Sequence, residues 1–225
     1  MKFIAIDTST EYLSLGISED KKILFAETFL LERKHSTDLL PILEKVLKRL
    51  KLSIQEIDGF IVGLGPGSFT GLRVGISMVK AMALCLDKPV VGIPTLDCLA
   101  AFVEGDKIPI APLVDAKRQQ VYAALYEKRN GFLEKRIKER VIPPDAFLKT
   151  LKGKTLFVGG GARLYKETIE EVMGEEAVFG KPVEDIPDPG TLIRLGIERF
   201  EKKELEDPRT LVPLYIYPKD CMIKK

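Results

Sequence analysis

The stretch IAPLVDAKRQQVYAALY (residues 110–126) lies over KFIAIDTSTEYLSLGI (residues 2–17) when Asp115 is set on Asp7. Both read as an apolar strand, an aspartate, a polar turn and an alternating strand that begins six residues after the aspartate. Farther on, TLFVGGGARLYKETI (155–169) follows the order of GFIVGLGPGSFTGLRVGI (59–76): strand, glycine loop, helix. Two weak similarities in the same order predict a duplicated α/β unit. The boundary is expected within EGDKIP (104–109), giving an N-terminal subdomain over 1–104 and a C-terminal subdomain over 105–212. A proline-punctuated tail, 213–225, is expected to return to the first half.

Within the first half, KFIAI, LSLGI and KILFAETFL read as three strands of an antiparallel meander. Residues 36–50 change period: Leu39, Leu43, Val46 and Leu50 recur at helical spacing, with Leu40 and Leu47 beside them. Ser36 or Thr37 is the expected cap, and Asp38 suits the first turn. GFIVGLG then reads as a buried strand, and residues 68–86 as a second helix. Leu72, Ile76, Val79, Ala83 and Leu86 form one stripe of that helix; Gly75, Met78, Met82 and Cys85 form the next. Only Arg73, Ser77 and Lys80 leave a narrow polar face, so the helix needs cover on several sides, from its own domain, from a partner, or from both. PVVGI and TLDCLAAFV continue as strand and helix, and GTLIRLGIERFEKK, opened by Asp188, Pro189 and Gly190, predicts a late helix.

Composition narrows the function. The 225 residues carry 35 Lys plus Arg against 33 Asp plus Glu, a net charge of +2 that supplies no broad basic field for nucleic acid or an anionic membrane. The apolar run that leads to Asp7 is only four residues long, too short for a signal-peptide core, and Lys80 interrupts the longest helical candidate. A cytoplasmic protein is the expectation. Cys85, Cys98 and Cys221 lack CxxC spacing and read as reduced, mostly buried thiols. His35 is the sole histidine, so one chain cannot build a two-histidine metal site, and a catalytic triad has one candidate base. Charged residues at 30%, with one Asn and three Gln, fit a heat-adapted source.

GLGPGSFTGLRVG (63–75) holds five glycines between strand and helix. Gly71 is followed by Leu72, which excludes the GxxxxGK phosphate loop, and no pair of its glycines completes GxGxxG. A strand-to-helix loop still suits an anion, through Gly65, Gly67, Ser68 and Thr70. The same residues equally cap the helix and shape the turn without any ligand. Asp7 could hold hydrated magnesium beside a nucleotide, or accept hydrogen bonds from its own turn. In DAKRQQ, Lys117 and Arg118 read as a solvated hairpin tip or a substrate clamp.

Taken together, AIDTST, HSTDLLPIL, GPGSFTGLRVGISMVKAMAL, PVVGIPTLDCLA, PLVDAKRQQVYAALY and the PLY near the tail resemble the bacterial TsaB family, also called YeaZ, of tRNA threonylcarbamoyladenosine biosynthesis proteins. The match runs through nearly the whole chain in order, although PLYIY stands where an arginine often follows. The resemblance implies a duplicated α/β fold of the actin, sugar-kinase and Hsp70 class, which is ribonuclease-H-like. It also implies a non-catalytic scaffold for TsaD, the subunit that carries a metal on paired histidines. The chain would fix the orientation of that enzyme's domains while threonylcarbamate passes from threonylcarbamoyl-AMP to N6 of adenosine 37 in tRNAs reading ANN codons.

The resemblance further implies a TsaE-like ATPase in the assembly, tRNA contact made indirectly, and a homodimer when TsaD is absent. It implies no cofactor of the chain's own, with room for ATP or ADP shared at the junction with partners, where Asp7 and the glycine loop lie. The partner surface falls on the helices 36–50 and 68–86, with Leu40, Leu43, Leu47, Leu72, Gly75, Ile76, Val79 and Met82 as candidates. Two readings from other classes compete: a stand-alone ATPase or small-molecule kinase using Asp7 and both glycine loops, and a metallopeptidase.

Overall fold

The computed structural model describes residues 1–31, 34–105, 107–129 and 131–216. The chain opens with strands β1 (Lys2–Asp7), β2 (Tyr12–Glu19) and β3 (Lys22–Leu30), then helix α1 (His35–Leu50), β4 (Gly59–Gly65), helix α2 (Phe69–Leu86), β5 (Val90–Pro94) and helix α3 (Thr95–Phe102). These strands form one sheet in the order β3-β2-β1-β4-β5, with β1 antiparallel to β2 and parallel to β4. The second half repeats the plan with β6 (Ile110–Lys117), β7 (Gln120–Arg129), β8 (Phe132–Ile142), α4 (Pro144–Leu148), β9 (Thr155–Val158), α5 (Gly160–Leu164), α6 (Lys166–Met173) and β10 (Ala177–Phe179). Its sheet runs β10-β9-β6-β7-β8, with β6 antiparallel to β7 and parallel to β9. Strand for strand this is the order of the first sheet, so the expected duplication is present. Helix α7 (Pro189–Glu201) follows, capped by Asp188, whose carboxylate accepts the Thr191 amide at 2.6 Å.

Alternation explains why β1 is buried on both faces. Ile4 and Ile6 point to one side, packing with Leu13, Leu15, Leu39, Leu43, Ile76 and Val79 under α1 and α2. Phe3 and Ala5 point to the other, packing with Ile61, Val91, Ile93, Leu192, Ile193 and Ile197 under α7. The second unit has its own core around Leu113, Ala123, Phe147, Phe157 and Ile169.

This packing corrects the expected boundaries. The chain divides into one unit of Met1–Cys98 with Pro187–Leu214 and another of Leu99–Ile186 with the described residues Tyr215 and Ile216, so α7 does not belong to a C-terminal subdomain ending at residue 212. The reason is the exposed lower face of the first sheet: Leu192, Ile193 and Ile197 are 0%, 2% and 7% exposed against it. Beyond α7 the chain stays on the first unit as far as Leu214. Glu206 bridges Val90, Leu211 is buried, and the Leu214 amide donates to the Leu64 carbonyl at 2.8 Å. The rest of the expected tail, 217–225, lies outside the described residues. The α1 cap also differs: Lys34 occupies it with no side-chain bond, and Thr37 Oγ1 donates to the Lys34 carbonyl at 3.0 Å.

Candidate functional site

β1 ends at Asp7, and the polar turn that follows folds back onto its carboxylate. The Ser9 amide donates to Asp7 Oδ1 at 2.7 Å, Ser9 Oγ donates to the same oxygen at 2.6 Å, and Thr95 Oγ1 donates to Oδ2 at 3.4 Å. Asp7 is 1% exposed. The glycine loop then docks on this turn: the Ser68 amide donates to the Ser9 carbonyl at 2.7 Å, and Thr8 Oγ1 donates to the Gly71 carbonyl at 2.8 Å. A Cβ on Gly67 would lie 2.2 Å from the Ser9 carbonyl oxygen, far inside contact distance. Glycine is therefore needed there for backbone to meet backbone. Ser68 caps α2 by accepting the Gly71 amide at 3.2 Å.

The arrangement answers what the loop can bind. A phosphate at the start of α2 would have to displace the Ser9 backbone, and a hydrated magnesium ion would have to reach a carboxylate shut away from water. Of the candidate turn residues, Asp7, Gly67 and Ser68 meet through Ser9; Gly65 packs on Leu72, and Thr70 stands exposed on the first turn of α2. These residues do not fit a nucleotide with its metal, and no step of chemistry follows from them. Nearby, burial pushes the Cys98 thiol well up from its usual range, and the charges of Asp7 and Asp188 add to this. The neutral thiol, whose Sγ donates to the Asp188 carbonyl at 3.6 Å, is inert.

The surface of α1 and α2 departs from the sequence expectation. Leu43, Leu47, Leu72, Gly75, Ile76 and Val79, six of the eight interface candidates, are buried in the core of the first unit itself. The stripe the sequence offers as a partner face is the stripe that faces the sheet, because both look alike in helical periodicity. Leu40 is 51% exposed and Met82 is half-buried. What α2 presents outward is Phe69, Arg73, Ser77, Ala81, Leu84 and Cys85, with Val74 and Met78 partly covered. The Arg73 guanidinium lies 3.7 Å over the Phe69 ring, and with Thr70, Val74 and Ser77 these two line an open depression of about 370 Å³. Lys80, expected on the polar face, instead turns aside, and its Nζ donates to the Leu211 carbonyl at 2.9 Å.

By length and composition α2 is apolar enough to cross a membrane, yet one side of it is core and only a third of it is buried. Phe69 and Leu84, 56% and 49% exposed, are what sequence reasoning missed. The signal lay in the helix being apolar nearly all round, which calls for two covered sides rather than one.

Comparison with known proteins gives this geometry its context. The family described as "TsaD: tRNA N6-adenosine threonylcarbamoyltransferase" matches residues 29–225. The tRNA threonylcarbamoyladenosine biosynthesis protein TsaB of Bacillus subtilis (strain 168) is 33% identical over 219 residues, covering 96% of this chain and 94% of that protein. Among solved structures, YeaZ from Pseudomonas aeruginosa superposes with a TM-score of 0.83 at 25% identity, over 96% of this chain and 99% of the other. Component A of (R)-2-hydroxyglutaryl-CoA dehydratase from Acidaminococcus fermentans reaches a TM-score of 0.50 at 11% identity, over 91% and 99%, and shares the fold alone. The fold is thus the duplicated α/β plan of the actin-like class.

Proposed function

The chain belongs to the TsaB family of tRNA threonylcarbamoyladenosine biosynthesis proteins, and from that premise we propose that it is a non-catalytic subunit that binds and organises a TsaD-like catalytic subunit. The observation that carries the reading is the outward face of α2. A helix of 18 residues with one apolar side in the core leaves Phe69, Ala81 and Leu84 in water, and such a face is stabilised when a partner covers it. Small residues, Ser77 and Ala81, between the larger Phe69 and Leu84 let a second helix approach closely. Leu40 of α1 extends the apolar surface. When the TsaD-like subunit is absent, the same face supports a homodimer.

In this reading the transfer of threonylcarbamate to adenosine 37 belongs to the partner, and a TsaE-like ATPase joins the assembly. Nucleotide, where present, is held at a junction between chains. The alternative of a stand-alone ATPase loses its central residue, because Asp7 is already committed to Ser9 and Thr95. The test is threonylcarbamoyladenosine formation on unmodified tRNA, using TsaD-like and TsaE-like subunits and an enzyme that supplies threonylcarbamoyl-AMP. Product is expected only when this chain is added. Equal product without it overturns the proposal.

A further inference from the structure

The two units end their matching strands differently. Beyond β1 and β4 the crevice is filled by protein, since Ser9 seats in the glycine loop. Beyond β6 and β9 the glycine loop also seats on backbone, since a Cβ on Gly159 would lie 2.4 Å from the Leu113 carbonyl oxygen, but the strand end is less enclosed: the Asp115 side chain is 23% exposed, whereas Asp7 is buried. Crevices outside the carboxyl ends of parallel strands, where the connections leave in opposite directions, are where sheets of this kind take their ligands.

At the rim of this crevice stands the β6–β7 hairpin. Lys117 pairs with Gln120, leaving Arg118 and Gln119 as a two-residue turn. Lys117, Arg118 and Gln119 have φ of 63°, 50° and 58°. Such turns require positive φ at both central positions, which Asn-Gly supplies without strain and long side chains do not. The fold alone gains nothing from Arg118 here. Lys117 is pinned, its amide and Nζ donating to the two Asp115 oxygens at 2.8 and 2.6 Å, while its side chain remains 84% exposed. Arg118 and Gln119 have no side-chain partner among the described residues.

We propose that this tip, Lys117, Arg118 and Gln119, contacts the phosphate backbone of RNA, so that the chain touches the tRNA itself. The proposal rests on the function proposed above. With a net charge of only +2, any grip on RNA has to be local, and a planar guanidinium with five donors matches a phosphate. An exposed tip suits a backbone running past it, whereas a free nucleotide calls for a concave pocket.

The measurement is the affinity of a fluorescein-labelled unmodified tRNA for the complex assembled with the TsaD-like and TsaE-like subunits, across a salt series, for the native chain, Arg118→Lys and Arg118→Gly. Arg118→Gly is expected to weaken RNA binding about tenfold and reduce the salt slope by roughly one. Arg118→Lys retains most of both. Because glycine relieves the strained turn, the same Arg118→Gly chain should melt about 2–4 °C higher, which separates lost contact from lost fold. Unchanged RNA affinity in Arg118→Gly overturns the proposal, and weaker ATP binding with unchanged RNA affinity assigns the tip to free nucleotide instead. Should the native chain not assemble with those subunits, the proposed function fails separately, and the same titration on the full chain alone decides the tip.

Discussion

Gly67 separates two accounts of the glycine loop by what its replacement would damage. If the loop cradled a phosphate, Gly67→Ala would spare the fold and weaken nucleotide binding. In the structure the missing side chain makes room for the Ser9 carbonyl, so an alanine must push the polar turn off the loop. Gly67→Ala is therefore expected to destabilise the chain by about 1–3 kcal/mol, the usual range for overpacking. A thermal melt checks this; an unchanged midpoint would mean that the loop is not seated on Ser9. The sequence left Asp7 undecided between magnesium and its own turn because both uses need the same residue in the same place. Only the buried Ser9 contacts distinguish them, and serine is abundant in turns of either kind.

Helix α2 is where the sequence told half of the story. Its apolar stripes and boundaries were legible, and so was its need for two covered sides; which stripe met the sheet was not. Leu72, Ile76 and Val79 repeat with the same period whether they face a strand or a partner. The distinction is open to experiment with a matched pair of substitutions. Ile76→Arg places an unpaired charge where the side chain is 3% exposed and should unfold the first unit, at a cost of several kcal/mol. Ala81→Arg and Leu84→Arg alter exposed positions and should leave the melting midpoint nearly unchanged while abolishing co-purification with the TsaD-like subunit. If Ala81→Arg and Leu84→Arg both bind that subunit as the native chain does, the outward face of α2 is not the contact.

For the molecule as a whole, the duplicated plan could be read from Asp7 and Asp115, each at or near the end of a first strand ahead of a polar turn, but the return of α7 to the first sheet could not. GTLIRLGIERF announces an amphipathic helix without saying which sheet its Leu192, Ile193 and Ile197 will cover. Chain order made the second sheet the natural choice, and the uncovered face of the first sheet made the actual one. Phe3, Ala5, Ile61, Val91 and Ile93 would face water without α7, and each large side chain among them contributes roughly 1.5–3 kcal/mol when buried. For the four large side chains that comes to roughly 6–12 kcal/mol, as much as the whole net stability of a domain, which runs to about 5–15 kcal/mol. A chain of residues 1–104, the subdomain suggested by sequence, should therefore bind an apolar dye and melt without a cooperative transition. Joining residues 1–98 to 187–214 through a short flexible linker should restore cooperative unfolding, because it supplies the helix that closes the sheet and the Leu211 and Leu214 contacts that follow it. Cooperative melting of the 1–104 chain alone would show that the first sheet needs no cover from α7, and would return the boundary to where the sequence had put it.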